Sequence, residues 1–212
     1  MSDSPLLDGL PVEQRLALAY APAASRGLFT ALFALDTRLA GIVRGAREPI
    51  LAQLRLAWWR DRLRDGGGTG DPVLAALAGW GDQRAGLAGL VDGWEHLLGD
   101  SLDPAAIGHF VEGRAQAMAA LAGLLGLSAE QSVQAARSWA LADLAGHVAN
   151  PAERALVQEQ AGQHDWGHVP LPRQLRPLAV LAGLARRRRG AGGLIDGPVS
   201  LLCAIRLGLT GR

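Results

Sequence analysis

The chain has a single cysteine in 212 residues, Cys203, so no internal disulfide framework can form and a reducing compartment suits it. β-Branched residues are few beside alanine and leucine, which carry most of the 49% hydrophobic content and favour helix throughout. The formal net charge is only +1, so the global basic field of a nucleic-acid binder is missing. The opening MSDSPLLDGLPVEQR lacks the basic start and apolar core of a secretory signal. No uncharged run reaches the roughly 18 residues that a bilayer span needs. These absences predict a cytoplasmic protein whose nearest approach to lipid is contact with a membrane surface.

What is present is patterned for helix. After a loose lead-in over 1–11, residues 12–212 read as one all-α domain, long enough to bury a large core. Val12 to Tyr20 is a short first helix. In the next, Leu28, Leu32, Leu35, Leu39 and Ile42 recur at steps of three and four and form a core stripe. A second face carries Phe29, Phe33, Asp36, Ala40 and Arg44, with Arg26 near its start; the plainest reading of Asp36 is an ion pair with Arg26 or another basic neighbour. Pro49 suits a first helical position. The helix it opens places Ile50, Leu54, Ala57 and Asp61 on one stripe, with an acid where an apolar residue is expected. Adjacent helical residues point about 100° apart, so Trp58, beside that stripe, is expected to be buried and Trp59 is not.

Ala31-Leu32-Phe33-Ala34 followed by Arg55-Leu56-Ala57-Trp58-Trp59-Arg60 resembles the opening of the squalene/phytoene synthase family, all-α enzymes that join two prenyl diphosphates head to head. The resemblance implies a bundle of the isoprenoid synthase type, here shortened at its C-terminal end. Three acidic positions of the family's first motif fall on Ala40, Gly41 and Arg44. A later segment, Leu90-Val91-Asp92-Gly93-Trp94-Glu95-His96-Leu97, keeps two family acids as Asp92 and Glu95 and has Leu97 at the third. Without that context Asp92 and Glu95 form a solvated face. The register from Trp139 to Leu144 puts the second acidic motif on Ala149, Asn150 and Arg154. Gly167-His168-Val169-Pro170-Leu171-Pro172 is similar to the family's Gly-Arg-x-Tyr-Leu-Pro loop.

Ionising an allylic diphosphate takes Mg²⁺ held by hard oxygen ligands, chiefly carboxylates, and alanine, glycine and arginine supply none. The resemblance is therefore to a degenerate branch, of which a complex I assembly factor is the type: a non-catalytic isoprenoid-binding or assembly protein with no cofactor. Its ligand site is expected on Arg26, Phe29, Phe33, Asp36, Ala40, Arg44, Asp92 and His168, with Ala115, Ala119, Ala122 and Gly123 leaving room opposite. An anionic head such as a prenyl diphosphate would meet Arg26 and Arg44 where the enzymes use metal. The competing reading is an active Mg²⁺-dependent prenyltransferase built on Asp36, Asp61, Asp92 and Glu95. A third is a helical interaction module with no cavity. The number of carboxylates facing a central cavity separates the three.

The remaining punctuation is local. Asp71-Pro72, Asp103-Pro104 and Asn150-Pro151 read as helix starts, Ser128 with Gln131 as a capping box, and Gly126 as a stop. Gly86 to Leu98 is a helix weakened by Gly89 and Gly93. Asp65-Gly-Gly-Gly-Thr-Gly-Asp71 is a flexible connection, since no strand precedes it and no Lys-Ser/Thr follows. His164, Asp165 and His168, with Cys203 or His147, are zinc-ligand types without paired spacing. Leu175 to Arg189 ends in Arg186, Arg187, Arg188 and Arg189, which suit either a solvated helix end or, with Arg206 and Arg212, an anionic lipid surface. Val199 to Leu209 is a last short helix on the bundle.

Overall fold

The computed structural model describes residues 5–65, 70–99, 101–189 and 193–211; the glycine run at 66–68 and Arg212 lie outside them. Among the described residues every regular element is helical, as the composition requires. The α-helices are α1 (Pro5–Asp8), α2 (Val12–Ala19), α3 (Ala23–Arg44), α4 (Pro49–Asp65), α5 (Pro72–Ala76), α6 (Ala88–Glu95), α7 (Pro104–Leu124), α8 (Ala129–His147), α9 (Pro151–Gln163), α10 (Arg176–Arg188) and α11 (Pro198–Thr210). Tighter 3₁₀ turns cover Leu77–Leu87, His96–Leu98 and Arg173–Leu175.

Local chemistry sets most of the boundaries. Proline occupies the first turn of α5, α7 and α9, where its missing N–H is no loss, and a side-chain cap precedes each. Asp71 Oδ1 accepts from the Val73 N–H at 2.8 Å, Asp103 Oδ1 from Ala106 at 2.7 Å, and Asn150 Oδ1 from Ala152 at 2.9 Å. Gly126 takes φ 69° and ends α7, letting the Leu127 N–H reach back to the Ala122 carbonyl at 2.9 Å. The capping box expected at Ser128 does not form: no side chain caps α8, and it is Ser132 that bonds the Ala129 carbonyl.

The core is shared among α3, α4, α6, α7, α8 and α10. In α3 the run from Ala31 to Asp36 is buried on every face, because α1, α2, α4, α5, α6 and α7 all pack on it. The small residues of α7 serve close packing: Ala115 and Ala122 are fully buried in the helix that packs most extensively on α8, itself rich in buried alanines such as Ala136 and Ala140. Across from α8, α7 crosses α6 at Gly89, Gly93 and Gly113. A Cβ on Gly113 would lie 2.5 Å from the Gly89 carbonyl oxygen, so glycine is what lets the two backbones touch. Gly89 and Gly93 nevertheless lie inside a continuous helix: of the 86–98 stretch only Ala88–Glu95 is α-helical, flanked by 3₁₀ turns, with a kink further upstream at Gly81, φ 51°.

Two expectations change. The lead-in is ordered from Pro5, with Leu6 and Leu7 against the core and Leu10 buried. In α4 the buried stripe is Ala52, Leu56, Trp59 and Leu63, while Ile50, Leu54 and Trp58 face outward. Trp59 is 4% exposed and Trp58 44%, the reverse of the sequence expectation. The helix has two apolar stripes, and the neighbours on α3 and α6 select the one that also places Arg60 beside Asp92 and Glu95.

Candidate functional site

Near the middle of the bundle lies a buried ion triad that joins three helices. Arg114 of α7 donates from Nε to Asp36 Oδ1 at 3.2 Å and from Nη2 to Asp36 Oδ2 at 2.8 Å, a two-pronged grip on the α3 carboxylate. Its Nη1 donates to Asp143 Oδ2 of α8 at 2.6 Å. The indole N–H of Trp94 adds a fourth bond, 2.8 Å to Asp36 Oδ1. The guanidinium sits among aromatic faces, 4.4 Å from the Trp139 ring centre, 4.6 Å from Phe110 and 5.4 Å from Trp94. Asp36 and Arg114 are 2% and 3% exposed, closed off from bulk solvent.

Two carboxylates share one guanidinium, so the formal charges of the cluster do not cancel. Burial pushes the Asp36 carboxyl above its ordinary value, against the pull of Arg114 and the Trp94 N–H. Burial alone would weaken the charge on Arg114, but Asp36 and then Asp143 outweigh it and hold the guanidinium above its usual range.

The triad floors a pocket of about 120 Å³ between α2, α3, α6, α7 and α8. Ala40 and Arg44 of α3 and Leu97 line this pocket together with Asp36, Arg114 and Asp143. His147 stands at its side, Nδ1 2.8 Å from the Asp143 carbonyl oxygen and 3.4 Å from its carboxylate. A cation entering would have to displace Arg114 from both acids, so the pocket as built holds no vacant carboxylate pair. Arg44 is exposed beside it and brings a positive charge to the rim.

The other expected site residues disperse. Phe29 and Phe33 are packed into the core rather than facing the central pocket; both are fully buried, 5.6 Å apart, with Phe33 edge-on to Trp139 at 5.7 Å. Arg26 neither pairs with Asp36 nor shares a mouth with Arg44. It bonds the Ala21 carbonyl at 3.2 Å near one end of the 22-residue α3, and at about 1.5 Å per residue Arg44 is more than about 25 Å away. Asp61 is exposed on α4. Asp92 and Glu95 are clamped by Arg60, whose Nε meets Asp92 Oδ1 at 2.6 Å and whose Nη2 meets Glu95, so the four proposed Mg²⁺ ligands do not converge. His168 is exposed in its loop. His164 bonds Ser138 Oγ at 2.8 Å and Asp165 caps the Gly167 N–H at 2.9 Å; among the described residues no three zinc-ligand types gather. The room expected opposite Ala115, Ala119, Ala122 and Gly123 is taken by α8 where those residues are buried.

Two features went unread in the sequence. Arg114 lies four residues after Phe110 and four before Met118, on the buried stripe of α7, and a charge in that phase is the signal that marks it. The second is a groove of about 780 Å³ between α1, α3, α4 and α5. Its walls are largely apolar, Leu6, Leu10, Ile42, Leu54, Trp58 and Val73 among them, with Arg38 and Arg55 at hand. Arg62 lies over the exposed Trp58 ring at 5.7 Å. No helix among the described residues is long and apolar enough to cross a membrane. Comparison with family models, with curated proteins and with solved structures gave no match.

Proposed function

We propose that this chain is a non-catalytic bundle of the squalene/phytoene synthase type that binds a partner or an apolar chain with an anionic head. The observation that carries the reading is the central pocket. Ala40, Arg44 and Leu97, positions at which the resemblance places metal-binding acids, line one pocket with Asp36 and Asp143, and an internal arginine holds those two carboxylates where a cation would otherwise bridge them. This moves the arginine-for-metal idea from Arg26 and Arg44 to Arg114.

At about 120 Å³ the central pocket falls below the roughly 300 Å³ at which ligand sites begin, whereas the outer groove at about 780 Å³ lies within their range. The groove is therefore the binding surface of this reading, with Arg38 and Arg55 for the head and the leucines and Trp58 for the chain. An assembly role draws on the same face: Ile50 and Leu51, 60% and 48% exposed, extend the apolar strip past the groove, as a helix of a partner protein would require.

The test has two arms. Farnesyl diphosphate with Mg²⁺ should release no pyrophosphate, and turnover near roughly 1 per second would refute the non-catalytic reading. Farnesyl phosphate should change tryptophan emission equally with and without EDTA, and Trp58→Ala with Arg55→Glu should abolish the change. Binding that needs Mg²⁺ would return the site to the central pocket.

A further inference from the structure

Helix α11 is apolar on both sides, and only one side is covered. Its inner face, Ser200, Ala204, Leu207 and Gly208, is buried against α10 and α2. The seat is tight: a Cβ on Gly208 would lie 2.3 Å from the Tyr20 ring, and one on Gly183 of α10 would lie 2.4 Å from Leu207. The rotation of α11 is thereby fixed, and its outer face carries Val199, Leu202, Cys203, Arg206 and Leu209. Val199, Leu202 and Leu209 are 61%, 65% and 71% exposed, and Leu201 at the edge adds a further apolar side chain. A helix apolar all round belongs in an interior, so this face implies a cover.

Charge selects the cover. No acidic residue lies within Pro198–Thr210, and Arg206 stands in the middle of the apolar face. Asp196, just before α11, is taken up by Arg187 at 3.1 Å and by Arg188. Among the described residues no carboxylate lies within ion-pair reach of Arg186, Arg189 or Arg206. A second copy of the chain laid on this face would bring arginine against arginine with no acid between them. An anionic bilayer answers both features, taking leucines into its acyl boundary and arginines at its headgroups.

We infer that α11 docks the protein flat on an anionic membrane surface, Val199, Leu202 and Leu209 entering the interface and Arg206 with Arg186 and Arg189 meeting lipid phosphates. This surface shares no residue with the outer groove, so either assignment can fail alone.

The test uses the full chain with an environment-sensitive dye on Cys203, the single cysteine, which lies half-buried at the edge of the docking face. Vesicles of phosphatidylcholine with 30% phosphatidylglycerol should co-sediment the protein and shift the dye to the blue; pure phosphatidylcholine should do so far more weakly. Arg189→Gln and Arg206→Gln should each weaken binding about 5-fold at low salt. Leu202→Glu with Leu209→Glu should weaken it more than about 10-fold. These side chains are exposed, so the circular-dichroism melt should stay in place; the unlabelled protein in the sedimentation arm guards against an effect of the dye. Binding no tighter to anionic than to neutral vesicles overturns the inference. So does a concentration-dependent dimer that Leu202→Glu dissolves.

Discussion

Replacing Arg114 with methionine is the sharpest probe of the buried triad. The substitution keeps volume and apolar contact with Phe110 and Trp139 but leaves Asp36 and Asp143 facing each other without a cation. Losing one partner of a buried ion pair costs about 3–5 kcal/mol, and this arginine serves two carboxylates at 2.8 and 2.6 Å with 3% exposure, which places the expected loss at the upper end. Against a total stability of about 5–15 kcal/mol, the variant should be marginal at pH 7. Protonation relieves the loss, because each unit by which a carboxyl rises in the folded state is about 1.4 kcal/mol. A folded-state pKa raised above the unfolded one means that the folded state holds the extra proton, so stability falls as pH rises through the raised value. Urea titrations followed by tryptophan fluorescence should therefore find Arg114→Met several kcal/mol less stable than wild type at pH 7 and much closer to it at pH 5. Combining it with Asp36→Asn and Asp143→Leu removes both stranded charges, keeps an acceptor for the Trp94 N–H, and should restore most of the loss. A single-variant loss under about 1 kcal/mol, or one unchanged between pH 5 and 7, would refute the buried-charge argument.

Other outcomes follow from particular contacts. Asp36→Asn alone should flatten the decline in wild-type stability above about pH 4, since the raised carboxyl is its source; an unchanged slope in the same titrations would place that source elsewhere. Trp59→Ala should cost about 3–5 kcal/mol and Trp58→Ala under about 1, and equal losses by chemical denaturation would contradict the α4 rotation. Gly113→Ala should lower stability by about 1–3 kcal/mol through the Gly89 carbonyl, visible as a lower melting temperature; a rise would show that α6 and α7 can part without cost.

Helix class and helix starts were legible because their causes are local. Asp71, Asp103 and Asn150 cap within three residues of themselves, and Gly126 needs only its own φ. The rotation of α4 was not legible, since Ile50, Leu54 and Ala57 make as good a stripe on paper as Ala52, Leu56 and Trp59; the choice is made by α6, through the grip of Arg60 on Asp92 and Glu95. Asp36 was placed on a second face of its helix, beside the core stripe, and its partner was sought among near neighbours such as Arg26. Arg114 stands 78 residues away, and helical periodicity carries no information about which distant helix arrives opposite. The central site was thus half visible: Ala40, Arg44 and Leu97 were singled out for what they are not, and the residues that occupy the space were found only in three dimensions.

The interior arginine also bears on how the chain reaches this arrangement. Its partners come from 78 residues upstream and 29 downstream, and the Trp94 indole crosses 58 residues to Asp36. The guanidinium loses its hydration only when α3, α6, α7 and α8 have all closed around it. A half-assembled bundle that excluded water before Asp36 or Asp143 arrived would carry an unpaired ion, so such a state stands high in free energy. Refolding followed by tryptophan fluorescence should therefore show the closure of these long-range contacts as a late step, slower than formation of the local helices.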